Sequence, residues 1–284
     1  MLSVVILNFN RPNFIKHNIV PQLNKYHTVD NIIISNGKKE TALDIDETTC
    51  LEHHNIHNEE YGLSLRFLSA LSAKNEYILI IDDDIIPSEE TIEFLYSKIQ
   101  EDKNRIYGIY GRNIKKYTGY EYTNVFGEVP VILTRCLICT KEMCQYYIDN
   151  FRKYESEKVK QSTPYWNGED ILFSLLSIKK YDKLPIAFDM KHYNRLANYV
   201  NIDEAVSFGR DHQEYRKEIT NDFIGELGVW NKIVRDVEIE KEKTQLSYFF
   251  ENSNLFLLLV PPVLMLFIML YYFVKAVYKK KGIK

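Results

Sequence analysis

Apolar and polar positions along the N-terminal third of the chain alternate between a strand period and a helix period. Three short apolar runs end in polar residues, as buried parallel strands do: SVVILNF, VDNIIISN and YILIID. Each is followed by a segment with apolar residues at helical spacing: PNFIKHNIVPQLNKY, YGLSLRFLSALSAKNE and SEETIEFLYSKIQED, the last with Ser88 as its N-cap. This order predicts a doubly wound α/β sheet.

The pattern changes after residue 105, where three β-rich stretches with glycine turns predict a mixed or antiparallel extension of the sheet. They are RIYGIYGRNI, GYEYTNVFG and VPVILTRCLIC. Two helices follow, in EMCQYYIDNFRKY and WNGEDILFSLLSIKKYDK. Residues 185–235 are mixed and polar. The polar stretch that holds His53, His54 and His57 is interpreted as a solvated loop.

Residues 255–274 read LFLLLVPPVLMLFIMLYYFV and contain no charge, which is the length of a membrane span. Pro261 and Pro262 predict a kink or a re-entrant turn in it. We therefore divide the chain into one domain at 1–235, a linker at 236–254, a transmembrane or membrane-embedded segment at 255–274 and a basic tail at 275–284.

The basic tail favours a cytosolic C-terminus, which with one span would place the domain outside the cell. The start of the chain, however, lacks the features of a signal peptide. We therefore expect a cytosolic rather than lumenal domain. The C-terminal segment is then either a tail anchor or a segment that lies at the surface or returns to the same side.

Composition limits the possible partners. The chain is 45 % hydrophobic and 26 % charged, as globular domains are, and its formal net charge of −3 offers no general field for nucleic acid. Cys136, Cys139 and Cys144 have a spacing that could serve zinc. Since no fourth ligand lies nearby in sequence, buried free thiols are the favoured interpretation.

Asp82, Asp83 and Asp84 directly follow the third predicted strand. Ligands of open α/β sheets bind beyond the carboxyl ends of the strands. Clustered carboxylates repel one another, but they become favourable around a divalent cation such as Mn²⁺ or Mg²⁺, which often bridges one or two carboxylates to phosphates. The triplet predicts a metal–diphosphate site, and an acidic turn that caps the next helix is the structural alternative.

The order of these elements resembles the nucleotide-sugar-binding half of GT-A glycosyltransferases, in which Asp82–Asp84 would be the D-x-D motif. Two further motifs resemble the exostosin-like (family 64) glycosyltransferase domain over roughly residues 3–220. The first is N-x-[ED]-D-I, here Asn167–Ile171. The second is D-H-x-x-x-R, which contains His212 and Arg216.

The resemblance implies a role for each matching residue. Asp84 would be the main metal ligand, with Asp82 and Asp83 in support. Residues facing the nucleotide or its diphosphate would be Asn8, Arg11, Asn36 and Arg66. Asp170 would be the essential carboxylate at the sugar, next to Glu169. Arg216 and His212 would close over the departing phosphates. Structural alternatives are helix capping for Asn8 and Asp170, a turn at Asn36, a solvated Arg66 and a surface pair of His212 with Arg216.

The implied function is metal-dependent transfer of a sugar from a UDP-sugar to an acceptor hydroxyl, with retention of configuration. The sugar would be an N-acetylhexosamine, a hexose or a uronate, and the acceptor a glycan, a lipid-linked molecule or a protein. One alternative is an inverting family 2 type transferase with Asp170 as general base, although no Q-x-x-R-W follows the acidic pair. Another is a membrane protein that binds a nucleotide sugar without turnover.

Overall fold

The structure is a computed structural model, and it describes residues 1–36, 43, 51–54, 58–115, 119–162, 165–190, 197–198 and 210–233. These residues lie within one compact unit, Met1–Asp236. Its strands are β1 (Leu2–Asn8), β2 (Val29–Asn36), β3 (Leu51–His54), β4 (Tyr77–Asp82), β5 (Ile85–Ile86), β6 (Tyr107–Gly108), β7 (Gly111–Lys115), β8 (Gly119–Val125), β9 (Gly127–Glu128), β10 (Val131–Ile132), β11 (Cys136–Thr140), β12 (Ile186–Ala187) and β13 (Ala197–Asn198).

The α-helices lie between some of these strands, or after the last of them, along the chain. They are α1 (Pro12–Phe14), α2 (Val20–Leu23), α3 (Asn58–Tyr61), α4 (Leu65–Ala70), α5 (Glu89–Glu101), α6 (Lys141–Asn150), α7 (Glu157–Lys160), α8 (Glu169–Tyr181) and α9 (Arg210–Leu227). A π-helical stretch, Ile15–Ile19, joins α1 to α2. Ser88 caps α5 as the sequence predicts, because its side chain accepts a hydrogen bond from the Thr91 N–H at 3.2 Å.

The main sheet has the order β3-β2-β1-β4-β11-β6-β12-β9. The first four strands are parallel, and β11 runs antiparallel to β4. A second, antiparallel sheet has the order β10-β7-β8. The prediction of an α/β fold with a mixed extension is therefore confirmed.

Alternate residues of each central strand face opposite sides of the main sheet, which explains why the strands are apolar throughout. In β4, Ile78 and Ile80 pack with the core that contains α6 and α8, whereas Leu79 and Ile81 pack with the core that contains α5. Helices therefore cover both faces of the sheet, in a three-layer arrangement.

The parallel register brings three polar residues to one edge of the main sheet. Asn8 of β1 pairs in register with Asn36 of β2, and Leu7 pairs with Asp82 of β4. The carboxyl ends of three adjacent strands thus lie side by side. This is where an open α/β sheet places its ligand.

The structure adds one helix to the sequence-based description and corrects one interpretation. Helix α9 occupies part of the region described as mixed and polar, and Gly228, with φ of 68°, follows it as a helix-terminating glycine does. Strand β3 contains His53 and His54, which we had assigned to a loop, while His57 lies outside the described residues.

The predicted membrane segment at 255–274 also lies outside the described residues, as do the linker and the basic tail. In the part of the chain that the structure describes, every helix is too short or too polar to cross a bilayer.

Gly62 permits a close backbone contact between the turn that precedes α4 and the loop that precedes α8. Its φ is 53°, and a Cβ there would lie 2.0 Å from the carbonyl oxygen of Tyr165. The same oxygen accepts a hydrogen bond from the Leu63 N–H at 3.0 Å. Only glycine fits this approach without moving one of the two segments.

We expect Gly62→Ala to lower the free energy of unfolding by about 2–4 kcal/mol, since it combines backbone strain with a clash against main chain. Urea denaturation followed by circular dichroism measures this. Gly225→Ala is the matched control: in α9 a Cβ meets nothing within 4 Å, so that variant should be neutral or more stable by up to about 1 kcal/mol. Equal effects of the two substitutions would contradict this account of Gly62.

Candidate active site

Asp82 ends strand β4 and is held by a buried arginine. Arg66, on α4, donates a hydrogen bond from Nη1 to Asp82 Oδ1 at 2.7 Å. The Arg66 side chain is only 5 % exposed, whereas that of Asp82 is 34 % exposed. The interpretation of Arg66 as a solvated helix residue is wrong, and Asp82 keeps contact with solvent at the edge of the sheet.

Asp83 organises the loop that follows β1. Its Oδ2 accepts hydrogen bonds from the backbone N–H groups of Phe9, Asn10 and Arg11 at 3.1–3.3 Å. Its Oδ1 accepts one from Arg11 Nη1 at 2.6 Å. A single carboxylate therefore fixes the end of β1, where Asn8 donates from Nδ2 to Asn36 Oδ1 at 2.8 Å.

Asp84 is the least satisfied of the three carboxyl groups. Its Oδ1 is buried and accepts no hydrogen bond from the described residues. The nearest charged partner recorded for it is Arg135 Nε at 3.7 Å, beyond hydrogen-bond distance. Burial and the neighbouring Asp82 raise the pKa of Asp84, and Arg135 only partly opposes them.

The second acidic motif follows a strained loop. Trp166 is fully buried and has φ of 58°, which is unusual for a bulky residue, and Gly168 has φ of 119°. These conformations end the loop at the N-terminus of α8, so that Glu169 and Asp170 lie in its first turn. The helix dipole favours negative charge at that end.

Glu169 is buried and sits between a neutral and a charged partner. Thr134 Oγ1 donates to its Oε1 at 3.2 Å, and Arg66 Nη2 lies 3.5 Å from the same oxygen. Burial raises the pKa of Glu169 to about 7, with the Asp170 charge acting in the same direction and Arg66 acting against it. This carboxyl group therefore changes its charge near neutral pH.

Asp170 is paired with Arg216 of α9. Arg216 Nη2 donates to both carboxylate oxygens, at 2.9 and 2.8 Å, and both side chains are almost fully buried. The guanidinium also lies 4.7 Å from the centre of the Tyr120 ring and donates to the Tyr120 hydroxyl at 3.2 Å. Burial alone would lower the pKa of Arg216, but Asp170 and Tyr120 outweigh burial and raise it.

Arg66 connects the two acidic motifs, since it contacts Asp82 with Nη1 and Glu169 with Nη2. The surface-pair interpretation of His212 and Arg216 is wrong, because Arg216 is buried against Asp170. The site gathers five carboxyl groups and four guanidinium groups from six parts of the chain. They are Asp82, Asp83, Asp84, Glu169 and Asp170 with Arg11, Arg66, Arg135 and Arg216.

The sequence did not single out Arg135 or Tyr120. Arg135 precedes β11 without any motif, and it approaches Asp84 only because β11 pairs with β4. Tyr120 lies in β8, and its contact with Arg216 depends on how α9 docks. The position of α9 had a weak signal: Ile219, Phe223, Ile224 and Leu227 recur at helical spacing and are buried.

The described residues contain no group of three His, Cys, Asp or Glu side chains arranged to hold a metal ion by themselves. This leaves open a metal site completed by substrate oxygens, which needs only one or two carboxylates. Cys136, Cys139 and Cys144 are buried free thiols, as the favoured interpretation expected.

Comparison with known proteins adds a family and a few relatives. The family model described as "Glycosyl transferase family 64 domain" matches residues 2–243. Glycosyltransferase GlyG of Streptococcus pneumoniae serotype 4 (strain ATCC BAA-334 / TIGR4) is 25 % identical over 157 residues, which cover 53 % of this chain and 49 % of that protein. The chain thus aligns with about half the length of this curated relative.

Two solved structures of S. aureus TarS, residues 1–349, also align with the chain. The structure in complex with UDP is 16 % identical, has a TM-score of 0.42 and covers 67 % of this chain and 58 % of that one. The structure described without a ligand is 16 % identical, has a TM-score of 0.44 and covers 79 % and 72 % respectively.

We expect Arg216→Ala to lower the free energy of unfolding by about 3–5 kcal/mol, because it leaves the Asp170 carboxylate buried without its cation. Chemical denaturation at neutral pH measures this. The control is Lys98→Ala in the more exposed Lys98–Glu101 pair of α5, which should change stability by less than about 1 kcal/mol. A loss below 1 kcal/mol for Arg216→Ala would mean that the Asp170 pair is not desolvated.

We expect Glu169→Gln to remove one component of the pH dependence of stability. The carboxyl group has a pKa of about 7 in the fold against 4.5 as its ordinary value. The stabilisation that this group contributes to the free energy of unfolding is therefore complete below about pH 4.5, falls as the pH rises and is lost above about pH 7. Wild type should lose stability relative to Glu169→Gln between pH 5 and about pH 7.5, as denaturation at several pH values will show; a constant difference between the two proteins would contradict the raised pKa.

Proposed function

Because the chain belongs to the glycosyl transferase family 64 domain family, we propose that it transfers a sugar from a UDP-sugar to an acceptor hydroxyl, with a divalent metal ion, on a GT-A fold. One observation carries this proposal: Arg66 contacts both Asp82 and Glu169 and so holds the two acidic motifs at one edge of the sheet. The exostosin-like motifs predict the same pairing of a diphosphate site with a sugar site.

The end of β1 and the end of β2 supply the proposed nucleotide site. Asn8 and Asn36 are joined by a hydrogen bond at the carboxyl ends of adjacent parallel strands, which is where such sheets bind nucleotides. Asp83 anchors the intervening loop through three backbone N–H groups and Arg11. In this proposal Asp83 shapes the nucleotide site, and Asp82 and Asp84 remain for the metal.

The residues at the end of β4 suit Mn²⁺ or Mg²⁺. Asp84 has a buried oxygen without a hydrogen-bond donor among the described residues, and Asp82 stays partly open to solvent. A hard divalent cation would satisfy such an oxygen, with phosphate oxygens completing the coordination. When bound, the ion would offset the negative charge that develops on the leaving diphosphate.

The chain's own residues would hold the sugar and exclude water. Asp170 would face the sugar, with Arg216 holding its carboxylate in place and Tyr120 supporting the guanidinium. Glu169 would be fixed behind it by Thr134 and Arg66. Burial of this network keeps water away from the reacting bond, which favours transfer over hydrolysis.

The geometry favours retention over inversion. An inverting transferase needs a base that accepts the acceptor's proton. Both oxygens of Asp170 already accept hydrogen bonds from Arg216, and Oδ1 accepts a further one from the Ile171 N–H at 2.8 Å. Asp170 would have to release one of these donors to serve as the base, so we keep the retaining mechanism as the proposal.

The acceptor is proposed from the sequence alone. The apolar segment at 255–274 suggests a domain held at a membrane. Lipid-linked molecules and membrane glycans or glycoproteins are then the acceptors within its reach. The donor sugar is an N-acetylhexosamine, a hexose or a uronate by resemblance to the exostosin-like family.

A UDP-release assay over a panel of UDP-sugars, with Mn²⁺ or Mg²⁺ present or chelated, tests the function. We expect release with one donor class, its loss on chelation, and a loss of at least about 10²-fold in kcat for Asp84→Asn and for Asp170→Asn. Calorimetry should show that Asp170→Asn still binds UDP with metal. Asp149→Asn, on the exposed side of α6, is the matched control and should keep full turnover.

Four results would contradict parts of the proposal. Full release of UDP in the presence of a chelator would exclude the metal requirement. Turnover that survives in Asp170→Asn would remove the role given to that residue. Inverted configuration in the isolated product would favour the family 2 type alternative, and UDP binding without any turnover would favour a binding protein.

A further inference from the structure

One amide side chain links the Asp170–Arg216 pair to a histidine. Asn167 precedes α8, and its Oδ1 lies 3.5 Å from Arg216 Nη1. Its Nδ2 lies 2.9 Å from His212 Nδ1. His212 and Arg216 are one turn apart on α9, so the amide spans the space between their two side chains.

The chemistry of Arg216 decides which way the Asn167 amide faces. A guanidinium group has only N–H donors and no acceptor. The amide must therefore present its oxygen to Arg216, because the reversed orientation would place its NH₂ group against another donor. Once Oδ1 faces Arg216, Nδ2 faces His212 as a donor.

The same logic then places the proton on His212. Since Asn167 Nδ2 donates, His212 Nδ1 must be the unprotonated, accepting nitrogen, and a neutral ring then carries its hydrogen on Nε2. The charged groups that act on the ring are Arg216 and Asp170, and Tyr122 packs against it with ring centroids 6.2 Å apart. Burial and Arg216 lower the pKa of His212 to about 4, against Asp170, so the ring stays neutral at physiological pH.

The other end of the ring remains available. The ring is partly exposed, and among the described residues Nε2 has no hydrogen-bond partner. The two nitrogens lie on opposite sides of the ring, so Nε2–H is directed away from Asn167. The backbone is also held, since the Tyr122 hydroxyl donates to the His212 carbonyl oxygen at 3.2 Å.

The family resemblance already implies that His212 closes over the departing phosphates. We infer that Arg216, through Asn167, holds this histidine as a neutral Nε2–H imidazole, so that it meets an oxygen of the bound nucleotide sugar as a hydrogen-bond donor and does not act as a general base. The donating role rests on the proposed function, whereas the position of the proton does not. Asn167 is thus a positioning residue, and His212 is the residue that touches substrate.

Nitrogen NMR of the ¹⁵N-histidine-labelled protein tests the proton position without any turnover. The signal of His212 among the seven histidines is identified by its absence from the spectrum of His212→Gln. We expect the wild-type ring to be the Nε2–H form from pH 6 to pH 8, whereas the exposed His17 and His27 serve as solvated references. An Nδ1–H form, or an imidazolium at pH 7, would overturn the inference.

Asn167→Asp is the matched perturbation. Its carboxylate still accepts from Arg216 but cannot donate, so His212 must carry a proton on Nδ1 to keep the contact. The His212 signal should change to the Nδ1–H form or to imidazolium. An unchanged Nε2–H signal in this variant would show that Asn167 does not set the proton position.

The donating role is tested with two isosteres and the nucleotide sugar. His212→Gln places an N–H donor near the position of Nε2, and His212→Asn does not. The turnover rate of His212→Gln should therefore be higher than that of His212→Asn by about tenfold or more. Weaker binding of UDP alone to His212→Asn locates the contact on the diphosphate, and weaker binding of the UDP-sugar only locates it on the sugar. Equal turnover of both variants would overturn the donating role. If wild type shows no turnover at all, the proposed function fails while the NMR result still decides the proton position.

Discussion

The placement of a buried guanidinium between two acidic motifs is the interaction on which the rest of the site depends. Burying the Arg66 charge without partners would cost several kcal/mol, and Asp82 and Glu169 supply the carboxyl groups that it contacts. Together these contacts offset that cost. Arg66 belongs to α4, Asp82 ends β4 and Glu169 begins α8. The two contacts of Arg66 therefore keep the end of β4 close to the start of α8. The Gly62–Tyr165 backbone contact holds the turn before α4 next to the loop before α8.

The site also shows how carboxyl groups that would repel one another are kept at one sheet edge. Asp83 is neutralised by Arg11 and by three backbone N–H groups, and Asp170 by Arg216. The repulsion between Glu169 and the other carboxylates is reduced, because burial raises the pKa of Glu169 to about 7. Asp84 is different, because its buried Oδ1 has no hydrogen bond to the described residues. The fold therefore satisfies four of the five carboxyl groups internally and leaves the fifth as the group with most to gain from a cation.

Much of the first half of the site could be predicted from the sequence, because its signals are local. Asp82–Asp84 come at the end of a buried strand. This alone predicts that their side chains lie at the carboxyl edge of a parallel sheet. The second half could be predicted only as a motif, since Asp170 acquires its environment from α9 and β8, which are distant in sequence. The region that includes α9 was described only as mixed and polar, because the charged residues of α9 outnumber the few apolar ones that face the core. Arg135 and Tyr120 carried no signal, since their roles arise from strand pairing and helix docking.

The two halves consequently differ in what maintains their geometry. Asp82–Asp84 are fixed by β4, whose apolar residues are buried on both faces of the sheet. Asp170 is fixed by a loop with Trp166 and Gly168 at positive φ and by a helix that packs through a few residues, Ile219 and Phe223 among them. The positive φ of Trp166 costs about 1–3 kcal/mol and persists only when neighbouring contacts outweigh that cost. The Asp170–Arg216 pair is therefore both a product of α9 docking and one of the contacts that hold α9 in place. In this fold the geometry of Asp170 is inseparable from the packing of α9, whereas the geometry of Asp82–Asp84 is a property of the sheet itself.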